Sequence, residues 1–288
     1  MHPRYFRQDG QPLFGVFHPA RSRSSSADCV LMCPPIGHEY IRSHWALRSL
    51  ASSLARESMN VLRFDYLGIG DSAKDVSDVG SLETWVDDTC DAAVELLDEV
   101  GESDKSITIV GLRFGAAIAT SAASQLADDG IGTNLILWEP VFNGRQFLAE
   151  LRSMHRQMLD LWVTKTTTEN TDSHEEILGF RYARTLLEEI ETTDLLNTPA
   201  PPSSSVRAYS SNGEESLYPE WLTDWVLTED TYDWGDANYI EEAWLPTKSR
   251  TTLQAELKQY AGGAPTQGRR VPPLQVDVPG PQLDGVQS

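Results

Sequence analysis

The residues with the clearest chemical spacing lie in Gly111-Leu112-Arg113-Phe114-Gly115-Ala116. A β-branched run (Ile107, Ile109, Val110) leads in, and small residues (Ala116, Ala117, Ala119, Ala122, Ala123) follow at helical spacing. This reads as a strand, a tight turn and a helix, in which Gly111 and Gly115 permit the close approach that a sharp elbow needs. The familiar elbow is G-x-S-x-G, with a serine nucleophile in the middle. Here the middle residue is Arg113, whose guanidinium is always protonated and offers no lone pair. It can neither attack a carbonyl nor take up a proton. It can hold a carboxylate, phosphate or sulfate through its planar fork, and the amide of Phe114 at the helix N-terminus favours the same anion.

Other candidates surround this turn. Pro34-Pro35-Ile36-Gly37-His38-Glu39 follows the apolar run Cys29–Cys33, and Asp65-Tyr-Leu-Gly68-Ile-Gly70-Asp71-Ser72 follows Val61–Phe64. His38, in the first of these loops with Glu39 beside it, is the best remaining base; otherwise it serves as a hydrogen-bonding partner of its own loop. Arg42, Asp65 and Glu139 are expected to crowd one crevice with Glu39 and Arg113. Arg113 then pairs internally with Glu39, Asp65 or Glu139, or it meets a ligand's anionic group, and the two states can alternate. The last histidine is His174, so residues 175–288 hold none and a Ser-His-Asp acyl transfer lacks both nucleophile and base. His155 and His174 fall in or near the helical segment beyond the elbow. Ser72 reads as structural, Cys33 as an inert core thiol, and Ser121 and Ser124 as packed or solvent-facing. No metal-ligand spacing, phosphate loop or dinucleotide fingerprint occurs, so no metal or other cofactor is expected.

Positioning these groups takes alternating strands and helices. The expected order is an edge hairpin over 4–18, a buried strand Cys29–Cys33 and a helix from Ser43 to Met59 with Ser43 as N-cap. A strand Val61–Phe64, a helix from Ser81 to about Val100, the elbow with its helix to about Leu126, and a strand Asn134–Trp138 follow. Such alternation predicts a mostly parallel, doubly wound sheet whose ligand crevice lies beyond the strand C-termini. Residues 143–195 carry two amphipathic stripes and predict a helical cap, with 164–172 as a polar hinge between them. Residues 1–142 and 196–261 then form the two parts of the core. Val206–Tyr209 is a late strand, Thr251–Tyr260 a last helix, and the aromatic stretch 218–245 completes the core or forms a sugar- or lipid-contacting face. From Gly262 onward, five prolines and five glycines without periodicity predict a disordered tail.

At 288 residues and 40% hydrophobic composition, the chain supports one large domain with an insertion. A net charge of −20 disfavours nucleic acid and anionic membranes as partners. Three cysteines, two of them in one strand, suggest a reduced, cytoplasmic chain. The N-terminus lacks a signal-peptide core, and no run is long enough to insert in a membrane.

Together these motifs resemble the α/β-hydrolase fold in its serine-aminopeptidase-like branch. The resemblance implies that Pro34–Glu39 is the oxyanion loop, that Asp65–Ser72 is the turn after the fourth strand, and that Gly111–Ala116 is the elbow. More narrowly, Gly111–Ala116 together with Trp138-Glu-Pro140-Val-Phe-Asn-Gly144-Arg-Gln-Phe-Leu148 resembles the exosortase-system-associated hydrolases of bacterial exopolysaccharide clusters, in which an elbow arginine looks normal. That likeness implies a hydrolase or acyl-transfer protein of exopolysaccharide metabolism. Its candidate catalytic residues are Arg113, His38 and Glu39. Ile36, Gly37, Arg42, Asp65, Phe114 and Glu139 would bind a small anionic or acylated ligand. The alternative is a catalytically inactive pseudo-hydrolase that keeps the pocket for binding or scaffolding.

Overall fold

The computed structural model describes residues 1–7, 10–21, 28–101, 106–162, 171–211, 218–222, 224–228, 230, 234–240 and 242–260. An antiparallel pair, β1 (His2–Phe6) and β2 (Leu13–His18), forms one edge of an eight-stranded sheet. Next come β3 (Cys29–Cys33), α1 (His38–Arg56), β4 (Asn60–Phe64) and α2 (Glu83–Val100). The elbow elements β5 (Ser106–Leu112) and α3 (Phe114–Asp128) precede β6 (Gly132–Trp138) and α4 (Gly144–Trp162). A two-stranded hairpin, β7 (His174–Ile177) and β8 (Phe180–Ala183), leads into α5 (Arg184–Thr192). The chain returns to the sheet with β9 (Ser205–Ser210) and β10 (Trp225–Leu227) and continues into α6 (Thr247–Tyr260).

The sheet order is β1-β2-β4-β3-β5-β6-β9-β10, and every pairing from β4 to β10 is parallel. Strands buried on both faces are apolar throughout, as in Cys29–Cys33. Alternate side chains divide the core in two. Val30, Met32, Val110, Leu112 and Ile136 pack with Leu47, Leu50 and Leu54 of α1 and Leu253 and Leu257 of α6. Leu31, Ile109, Leu135 and Leu137 pack with Leu96 of α2 and Ile118 and Leu126 of α3. Wrapping helices on both faces leaves the strand C-termini at one edge, where Cys33, Phe64, Leu112, Trp138 and Ser210 all end.

Two expectations change. Helix α1 begins at His38, five residues earlier than Ser43, because Gly37 turns the chain at φ 59° and the helix starts at once without a side-chain cap. His38, Glu39 and Arg42 therefore sit in its first turns rather than in a loop. The cap is not wholly helical: Ile177 and Phe180 pair across a turn in which Leu178 (φ 53°) and Gly179 (φ 83°) are left-handed, so the second apolar stripe begins in a hairpin. Most of the expected hinge (164–170 of 164–172) and the tail from Gly262 lie outside the described residues, as do residues 212–217. No helix among the described residues is long and apolar enough to cross a membrane.

Candidate functional site

The elbow is built as its spacing requires. Arg113 joins β5 to α3 in a left-handed conformation, φ 54° and ψ −124°. A side chain there is strained, and such strain collects at functional turns. The two glycines are sterically fixed. A Cβ on Gly111 would lie 2.5 Å from Ala116 Cα, and one on Gly115 would lie 2.4 Å from the carbonyl oxygen of Pro34. Gly115 thus lets α3 press against the end of β3. The Arg113 amide donates to the Trp138 carbonyl at 3.0 Å, tying the turn to β6.

From this turn the guanidinium reaches two oxygens. Nε donates to Glu39 Oε1 at 2.9 Å, and a terminal nitrogen donates to the Glu139 carbonyl at 3.3 Å. Trp234 lies against the same group, with its ring centre 4.8 Å from the guanidinium carbon. Glu39 is 1% exposed, and its second oxygen has no partner among the described residues. Burial pushes its carboxyl above the usual range, and Arg113 only partly opposes that. The Glu139 carboxylate turns the other way. It accepts from the Ser211 amide (2.9 Å), the Ser211 hydroxyl (3.1 Å) and the Thr228 hydroxyl (3.5 Å). Its carboxyl too is raised by burial, against the pull of Arg113 and Ser211.

A cavity of about 450 Å³ opens beside the guanidinium, beneath the first turns of α4. Arg113, Glu139, Ser210, Ser211 and Trp234 wall it on the core side; Asn143, Gln146, Phe147 and Glu150 wall it on the cap side. The volume falls within the range of small-molecule sites.

The sequence candidates separate on this geometry. Arg113, Glu39 and Glu139 converge. Arg42 does not reach the cavity: it is 1% exposed, donates to the Glu242 carbonyl at 3.2 Å and lies 6.0 Å from the Trp234 ring centre. Asp65 organises a separate turn, accepting from the Tyr40 hydroxyl (2.8 Å) and the Asp71 amide (3.0 Å). Ser72 is structural, bridging the Asp65 carbonyl and the Phe14 amide. The Ile36 and Phe114 side chains are buried and do not line the cavity. Gly37 packs below Tyr182, where a Cβ would meet the phenol oxygen at 2.4 Å. His38 is buried, Nε2 has no partner among the described residues, and burial together with Arg42 and Arg113 pushes its pKa down to about 3. Cys33 is buried in β3, with burial pushing its thiol up to about 12. His155 accepts from the Leu178 amide, and His174 contacts the Ser77 carbonyl in the cap's seam with the core. No three ligand-type side chains are gathered for a metal among the described residues.

Sequence reasoning missed Trp234. It stands in the segment after the last strand, where the triad histidine of such a sheet approaches the elbow. Its only signal was its place in an aromatic-rich stretch. Trp234 and Trp244 are buried, with ring centres 4.8 Å apart, and Trp138 lies at the same distance beyond Trp244. The described aromatics of this stretch thus largely complete the core.

Sheet order, elbow and cap together define an α/β-hydrolase fold. The chain belongs to the serine aminopeptidase S33 family, whose model matches residues 35–182. No curated protein matches the chain. Among solved structures, it is similar to Est1E of Butyrivibrio proteoclasticus with bound ferulic acid. That match has 16% identity over 90% of this chain and 98% of that one, with a TM-score of 0.57. It is likewise similar to a soluble variant of monoglyceride lipase from Saccharomyces cerevisiae (12% identity, 92% and 96% covered, TM-score 0.56). Mouse alpha/beta hydrolase domain-containing protein 10 matches at 16% identity over 91% and 99%, with a TM-score of 0.55. At these identities the likeness speaks for the fold alone.

Proposed function

We propose that this hydrolase-fold protein uses its elbow to bind an anionic or acylated small molecule, not to form an acyl-enzyme. The observation that carries this is Arg113 in the strained elbow position. Its guanidinium is steered by Glu39 and Trp234 and borders a cavity. A fixed guanidinium beside a cavity is a carboxylate or phosphate receptor. Acyl transfer would need a nucleophile with a base in reach. Nε2 of His38 has no hydrogen-bond partner among the described residues, and burial pushes its pKa down to about 3. Catalytic roles for His38 and Glu39 therefore give way to structural ones: Glu39 orients Arg113, and His38 is buried in the first turn of α1. The likeness of Gly111–Ala116 and Trp138–Leu148 to exosortase-associated proteins supports placing the ligand in exopolysaccharide metabolism. An odd number of cysteines, two of them in one strand, supports a cytoplasmic setting.

A thermal-shift screen tests this reading, with acyl esters, acyl thioesters, sugar phosphates and simple anions offered to the wild type and to Arg113→Ala. A ligand at a hundred times its Kd stabilises the folded state by about 2.7 kcal/mol. The expected result is stabilisation of the wild type that disappears in the variant. If no compound shifts the wild type and the variant simply melts lower, Arg113 is an internal strut and the protein is a scaffold.

A further inference from the structure

We infer that the ligand of this cavity is a zwitterion: its carboxylate meets Arg113 and its ammonium group faces Glu150 on the cap helix. The inference rests on the reading of the cavity as a ligand site and specifies what that site accepts. Arg113 is the only cation lining the cavity among the described residues, and Glu39 already holds its Nε at 2.9 Å. Two carboxylates, Glu139 and Glu150, line the same cavity. A ligand that is only anionic would meet one shared positive charge against two negative ones, within a chain of net charge −20. The two carboxylates differ in what they can still accept. Glu139 is engaged by Ser211 and Thr228. Glu150 takes a single hydrogen bond, from the Gln146 amide to Oε1 at 2.9 Å, and forms no ion pair among the described residues. It is exposed on α4 at the cavity wall, and its charge opposes ionisation of Glu39, which sets it within electrostatic reach of the Arg113 pair. Arg113 and Glu150 thus form the two poles of one cavity. A molecule with a positive group spaced from its carboxylate satisfies both, whereas a plain carboxylate leaves Glu150 to repel it.

Titration calorimetry at low ionic strength tests this on the full chain. The probes are 4-aminobutanoate, 5-aminopentanoate and 6-aminohexanoate, each compared with the unsubstituted carboxylate of the same length. The expected result is that at least one amino acid binds tenfold or more tighter than its plain counterpart. Glu150→Gln, a change at an exposed position, should erase that preference, and Arg113→Ala should abolish binding of both. Equal affinity for the two members of every pair, with binding still lost in Arg113→Ala, overturns the zwitterion inference and leaves the anion site intact. A preference that survives Glu150→Gln also overturns it. No binding of any probe to the wild type overturns this inference, while the reading beneath it is decided separately by the thermal-shift screen.

Discussion

Arg113 joins two features that are costly separately: a left-handed side-chain-bearing residue and a buried carboxylate partner. A paired, buried charge contributes little net stability, but removing one partner strands the other in a low-dielectric setting at a cost of about 3–5 kcal/mol. Arg113→Ala should therefore lose about 3 kcal/mol in urea unfolding, since Glu39 is left almost fully buried. Adding Glu39→Gln to that variant should cost much less than the sum of the single changes, and additive losses would show that the pair is not coupled. His38 gives a pH signature. Its pKa in the folded protein, about 3, lies below its usual 6.5. It therefore contributes stability that is complete above pH 6.5 and is lost as pH falls toward 3. Glu39 and Glu139 are shifted upward by burial and act in the opposite sense, so the comparison must be with a variant. Between pH 6.5 and 4.5 the wild type should lose about 2–3 kcal/mol more than His38→Gln. Parallel pH profiles would show that His38 is not held neutral.

At the scale of elements, the elbow and the parallel sheet were legible because their signals are local. The β-branched run, the paired glycines and the small residues of α3 each meet a steric requirement within a few residues. Gly115 is the sharpest case: Gly115→Ala should cost about 3 kcal/mol through collision with the Pro34 and Cys33 carbonyl oxygens, read as a lower urea midpoint. An unchanged midpoint would mean that the α3–β3 approach is looser than described. Helix α1 starts ahead of Ser43 because Gly37, not a polar cap, turns the chain there. That moved Arg42 behind the site. Asp65 was misplaced for a different reason: its partners Tyr40 and Asp71 close a local turn, and spacing alone does not show which way a side chain at a strand end points. Trp234 was invisible as a site residue because its contact with Arg113 is made only when β10 brings distant segments together. The cap hairpin was hidden because Leu178, an ordinary helix former, adopts a left-handed turn beside Gly179.

At the scale of the whole molecule, acidity and the seams between layers matter most. A net charge of −20 repels itself in the folded state, and salt screens that repulsion over about 10 Å at 0.1 M. Helix α6 is held by Arg207 to Glu256, a largely buried pair that salt weakens only in part, and by the exposed pair Lys258 to Glu57 (2.7 Å), which salt screens. Raising sodium chloride from 0.02 to 0.3 M should therefore raise Tm by about 3 °C, corresponding to about 1 kcal/mol for a chain of this size. A fall in Tm would show that the ion pairs outweigh the repulsion.

On this reading the elbow carries a receptor and not a nucleophile. Intact-mass measurement after treatment with a fluorophosphonate ester, a reagent that captures activated serines, tests it most directly. The expected result is a protein of unchanged mass. A stoichiometric single adduct would reveal an activated hydroxyl that the Arg113 elbow does not supply, and would contradict it.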